Sequence, residues 1–159
     1  MKRINHRSKK KSVGICTIRK ISVPIKKEIM LLHQDISETI IKCFYKVYNS
    51  LGYGFLEKVY ENSLCIELRN SGLKCDAQQK INVYYKNEKV GLYYADLVVE
   101  DKIIIELKAS ALIEEHEFQL LNYLKATEIE IGLLLGFGKE ATFIRKIFTN
   151  DRKSEHLKK

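Results

Sequence analysis

At 159 residues with 45% hydrophobic content, the chain can build one domain with a substantial core but not two. The formal net charge of +8 is concentrated at one end. Residues 1–29 hold ten Lys and Arg against the single acid Glu28, while residues 30–159 hold 18 basic and 19 acidic residues. The basicity belongs to an arm that can meet phosphates non-specifically, and the rest of the chain is close to neutral. The longest apolar run, Ile131 to Phe137, is far too short to span a bilayer. Cys16, Cys43, Cys65 and Cys75 form no CxxC pair and no paired spacing, and the four histidines form no HxH or HExxH, which argues against a zinc or iron–sulfur site.

In chain order, residues 1–29 read as a basic, disordered extension. Arg19 and Lys20 interrupt its Ile/Val content, which disfavours a secretory signal; an organelle transit peptide and a start at Met30 stay open. Cytoplasmic placement is the expectation. Residues 30–150 read as a single domain and 151–159 as a polar tail.

The first helix is predicted from Asp35 to Ser50, with Ile36, Ile40, Ile41, Phe44, Val47 and Tyr48 at helical spacing. Asp35 or Ser37 is the expected N-cap, and Gly52 follows the end. A second helix is predicted from Phe55 to Asn70, with Leu56, Val59, Tyr60, Leu64 and Leu68 as its buried stripe and Gly72 as its stop. Cys43 and Cys65 fall inside these patterns, where free thiols pack as small hydrophobes.

Three strands are predicted next, near residues 78–86, 89–99 and 102–109, joined by short turns into an antiparallel meander. A third helix over Ile113–Ala126 carries Leu120, Leu121 and Leu124. The run Ile129–Gly136 has the composition of a strand covered on both faces. Thr142–Phe148 alternates like an edge strand. The order helix–helix–three strands–helix–strand–strand predicts an α/β sandwich with a mixed sheet and a parallel crossover between residues 102 and 136.

Asp96 and, ten residues on, Glu106-Leu107-Lys108 stand in otherwise apolar, β-branched strand sequence. Ionised groups there are costly to bury unless paired or metal-bound. Glu106 and Lys108 are two apart and leave an extended strand by the same face. On spacing alone a rim ion pair explains them. Asp96 shares their face if the hairpin closes on a three-residue loop at 100–102; a two-residue turn would need a bulge or bend.

The surrounding motifs change the balance. Gly54-Phe55-Leu56-Glu57-Lys58-Val59-Tyr60, Tyr94-Ala95-Asp96, Glu106-Leu107-Lys108 and His116-Glu117-Phe118-Gln119-Leu120-Leu121-Asn122-Tyr123-Leu124 occur in that order. Over roughly residues 33–149 the chain resembles the GxxExxY family of the PD-(D/E)XK nuclease superfamily, and Gln119 and Tyr123 match the QxxxY element of RecB-like nucleases. Tyr94 stands where relatives often carry arginine. The resemblance implies a restriction-endonuclease-like αβββαβ core with an extra N-terminal helix and a C-terminal edge strand. It implies a Mg2+- or Mn2+-dependent nuclease acting on DNA or RNA. The implied ligands are Asp96, Glu106, Glu57 and the Leu107 carbonyl, with Lys108 stabilising charge or orienting water, and Gln119 and Tyr123 bordering the site against substrate or Lys108.

Bland readings accompany several of these residues. Glu57 in a first helical turn also complements the helix dipole. Tyr60 reads as core packing, His116 as a weak site candidate. Tyr84, Tyr85, Tyr93 and Tyr94 could stack on bases, but β-propensity explains them. The alternatives at the level of function are a catalytically silent nucleic-acid-binding or accessory protein on the same fold, and an interaction module with a structural ion cluster.

Overall fold

The structure, a computed structural model, describes residues 31–153. The expectations for residues 1–29, for Met30 and for Cys16 fall outside that range, as do residues 154–159. Among the described residues no helix is long and apolar enough to cross a membrane.

Helix α1 (Gln34–Leu51) buries Ile36, Ile40, Cys43, Phe44 and Val47. Neither expected N-cap performs that role. The helix starts after His33, whose φ is 50°, and Ser37 turns its hydroxyl back to the His33 carbonyl at 3.0 Å from inside the first turn. Helix α2 (Glu57–Asn70) buries Tyr60, Leu64, Cys65 and Leu68. Leu56 and Val59, expected in that stripe, are 79% and 37% exposed. Leu56 is extended and precedes the first turn, and the 60–64–68 spacing turns Val59 away from the sheet. Gly72, at φ 81°, ends the helix: its N–H reaches the Arg69 carbonyl while the Leu73 N–H reaches back to Leu68.

Strands β1 (Cys75–Tyr85), β2 (Glu88–Val99) and β3 (Ile103–Lys108) form the expected antiparallel meander, with β1 starting three residues earlier than the sequence suggests. Helix α3 (Glu114–Lys125) carries the chain over to β4 (Ile131–Phe137), parallel to β3, and β5 (Ala141–Ile147) closes the sheet antiparallel to β4. The sheet order is β1-β2-β3-β4-β5, mixed, with helices on both faces. This is the restriction-endonuclease-like α/β architecture. Ile129 and Glu130 precede β4, and their carbonyls accept Lys153 Nζ and the Phe148 N–H. Lys153, in the segment read as tail, is thus buried against the domain.

Helices α1 and α2 cover Leu97, Val99, Ile103, Ile105, Leu107 and the odd-numbered residues of β4; α3 covers Val98, Ile104 and Leu134. β3 and β4 therefore bury both faces, which is why their sequences run apolar without alternation. Gly132 is required for this packing: a Cβ there would lie 2.7 Å from Leu120 Cδ1. Although the sequence shows no paired cysteine spacing, the fold brings the free, buried thiols of Cys65 and Cys75, from α2 and β1, to 3.2 Å of each other. Burial, then the Cys65 contact, pushes the Cys75 thiol up to about 12.

Candidate active site

The β2–β3 hairpin closes on three residues: Val99 pairs with Ile103, and Glu100 and Asp101 adopt φ 54°. This is the like-parity register, and the last paired residues are Leu97 and Ile105. Just beyond them β2 loses strict alternation. Ala95 and Val98, three apart, both pack in the α3 layer, while Leu97 packs under α1 and α2. β1 breaks at the same level: Gln78, at φ 53°, separates the pairs Ala77–Leu97 and Gln79–Ala95. Asp96 stands at this bend, and its Oδ2 accepts the Leu107 N–H at 2.8 Å.

Glu106 is 2% exposed. Its Oε1 accepts two charge-assisted hydrogen bonds, from Lys108 Nζ at 2.6 Å and Gln119 Nε2 at 2.7 Å. Its Oε2 is buried with no hydrogen-bond partner. Gln119 also donates to the Tyr123 hydroxyl at 2.6 Å, so the i, i+4 pair on α3 acts as one bracket. The amide meets Glu106 rather than Lys108, and Tyr123 is buried, its ring 5.6 Å from that of Tyr93.

Electrostatics follow from this burial. Desolvation, followed by the charge of Asp96, pushes the Glu106 carboxyl up to about 7. Desolvation also raises Asp96, against the Leu107 hydrogen bond and Lys108. Burial pulls the Lys108 ammonium down, but the Glu106 hydrogen bond and the surrounding acids raise it above its ordinary value. Lys108 therefore stays protonated. Tyr123 is raised by burial, with Gln119 opposing.

The first turns of α2 bring two more acids. Glu57 is exposed, yet its charge bears on Asp96, Glu106 and Lys108. Glu61, absent from the sequence-derived candidates, is 4% exposed, takes Lys58 Nζ at 2.5 Å and Gln78 Nε2 at 2.8 Å, and adds negative potential at Asp96. Its signal was present: Glu61, Leu64 and Leu68 share the inward face of the helix. Among the described residues, however, no three His, Cys, Asp or Glu side chains converge closely enough to form a metal cluster.

Tyr60 is core, as read. Its ring stacks on Phe137 at 4.1 Å between centroids, and its hydroxyl donates to the Gly52 carbonyl and accepts the Phe55 N–H. It thereby fixes the loop that leads into Glu57. His116 accepts the Ile113 N–H at 3.3 Å and caps α3; burial and Lys108 keep its pKa low. Tyr94 is exposed on β2.

The family model that describes the PD-(D/E)XK nuclease superfamily matches residues 34–147. No curated protein and no solved structure matches the chain.

Proposed function

Because this chain belongs to the PD-(D/E)XK nuclease superfamily, we propose that it is a Mg2+- or Mn2+-dependent nuclease hydrolysing phosphodiester bonds in DNA or RNA. Within the superfamily we assign it to the GxxExxY proteins, on Gly54, Glu57 and Tyr60, with Gln119 and Tyr123 as its RecB-like element. The observation that carries the reading is the buried, unpartnered Oε2 of Glu106 beside the desolvated carboxylate of Asp96. Two acids under mutual repulsion, one with an orphaned oxygen, fit a hard cation better than they fit an empty core.

Asp96, Glu106 and the Leu107 carbonyl would hold the ion, with Glu57 as a further acid. Bound there, Mg2+ or Mn2+ supplies Lewis-acid polarisation of a phosphoryl oxygen and a more acidic water. Lys108 holds its proton and directs an ammonium N–H toward negative charge that develops on phosphate. Gln119 fixes the rotamer of Glu106 and leaves Oε2 for the ion, and Tyr123 holds Gln119 in turn. The Leu107 N–H orients Asp96. A cytoplasmic location accompanies this reading.

One observation favours the silent nucleic-acid-binding alternative: residues 30–159 carry almost balanced charge, whereas enzymes on nucleic acid commonly display a basic groove. Thermal melting with added Mg2+ or Mn2+ tests the metal site. Saturation at a hundred times Kd stabilises by about 2.7 kcal/mol, an increase of several degrees. Asp96→Ala should abolish that increase with the fold retained; an unchanged wild-type melting temperature would refute the site.

A further inference from the structure

A cavity of about 800 Å³, within the size range of small-molecule pockets, opens where the chain leaves β3 after Lys108. It is continuous in sequence with the site on two sides. Ala109 follows Lys108 directly, and Tyr53 and Gly54 lead into Glu57. The remaining wall comes from Ala111, Leu112, Thr142 and Ile144, with Lys139 and Glu140 together contributing no net charge. Gly138 lines it, and Gly136 packs behind two of its lining residues. A Cβ on Gly136 would meet Thr142 Oγ1 at 2.7 Å and Leu112 Cγ at 2.9 Å, and one on Gly138 would meet the Ala111 nitrogen at 2.9 Å. Tyr48 secures the far wall by donating to the carbonyls of Gly138 and Lys139.

Tyr53 is 59% exposed where it lines this hollow, with Phe55 half-exposed beside it. Gln119, the partner of Glu106, lines a second cleft of about 280 Å³ with the half-exposed rings of Tyr93 and Phe118. Aromatic surface therefore lies on separate elements that lead into the site, while the 18 basic residues of 30–159 are offset by 19 acids. That balance does not suit a duplex, which offers phosphates outward and seals its bases inside. It suits a strand whose bases are free to stack, since every base has a π-face.

We propose that the 800 Å³ cavity holds an unpaired nucleobase, stacked on Tyr53, next to a phosphate at Asp96, Glu106 and Lys108, so that the substrate class is single-stranded nucleic acid. The proposal rests on the nuclease reading above. Thr142 and Ser110 offer hydroxyls to base edges, and the apolar remainder accepts any base.

The test uses the full chain with no divalent ion and a single-stranded oligonucleotide carrying 2-aminopurine, whose fluorescence falls on stacking. Parallel arms use DNA and RNA of one sequence, plus the DNA duplex, at about 0.2 M salt to suppress phosphate-only binding. Saturable quenching is expected with at least one of the two single strands. Tyr53→Ala removes the ring and Ala111→Phe occupies the cavity. Both positions are exposed, so both variants should fold, keep the Mn2+-induced rise in melting temperature, and bind the single strand on the order of tenfold more weakly. Duplex bound as tightly as single strand, wild-type affinity in both variants, or no quenching with either sugar would overturn the proposal. Failure here with metal-dependent cleavage intact would leave the nuclease reading standing, because Tyr53 and Ala111 take no part in it.

Discussion

The Asp96 carboxylate accepts the Leu107 backbone N–H at 2.8 Å, just past the point where the β2–β3 ladder stops at Leu97 and Ile105. A side chain stands in for the next strand contact, and this opens the sheet where the acids meet. Asp96→Asn keeps an acceptor and removes the charge; Asp96→Ala leaves the amide without that partner. In the absence of metal at pH 8, Asn at 96 should melt above Ala at 96 by the equivalent of about 1–3 kcal/mol. Neither should respond to Mn2+. Equal melting of the two variants would show that the bond contributes nothing.

Glu106 makes stability depend on pH. Its carboxyl titrates near 7 in the fold against an ordinary 4.5, so the folded chain binds more protons between those values. The stability this supplies is complete below about 4.5 and is lost as pH rises through 7, by up to roughly 3 kcal/mol. Asp96, also raised, acts in the same direction. Glu106→Gln should flatten the fall in melting temperature between pH 5 and 8. The metal-induced rise in the wild type should grow over the same interval, because an ion must displace the proton. A metal response that does not vary with pH would contradict the protonation of Glu106.

Gln119 touches Glu106 and Tyr123 but lies beside no backbone break. Gln119→Ala should therefore preserve the circular dichroism spectrum and weaken Mn2+ binding by about 10- to 100-fold, as expected when a hydrogen bond orienting a ligand is lost. Tyr123→Phe keeps the ring and removes only the bracket's outer support, so its effect on Mn2+ affinity, read by calorimetric titration, should be smaller.

Tyr60→Phe keeps the stack on Phe137 and removes two hydrogen bonds to the 52–55 loop. The expected loss is on the order of 1–3 kcal/mol by chemical denaturation. Faster amide exchange at Phe55 should accompany it. Unchanged exchange there would show that the loop is held by other contacts.

Much of this architecture is legible in the sequence because burial on both faces leaves a plain mark. The apolar runs of β3 and β4 could be read directly, whereas the loop before Ile103 was legible only as two or three residues; its three residues set the pairing of Leu97 with Ile105. What could not be read depends on contacts between elements. The bend at Asp96 arises with the positive φ of Gln78 on the neighbouring strand, and Gln78 then supplies the partner that lets Glu61 stay buried. The 3.2 Å approach of Cys65 and Cys75 likewise exists only once α2 docks beside β1. Leu56 falls outside the buried stripe because hydrophobicity says nothing about where the first turn begins.

Asp96, Glu106 and Lys108 are proposed to form a hydrolytic centre. Its most direct measurement is cleavage of single- and double-stranded DNA and RNA by the purified chain with Mn2+ or Mg2+, beside Asp96→Ala and Lys108→Ala prepared identically. Such a centre requires metal-dependent cleavage of at least one polymer by the wild type and its loss in both variants. Cleavage that survives in the variants, or no cleavage of any polymer by a wild type that binds the ion, would contradict it.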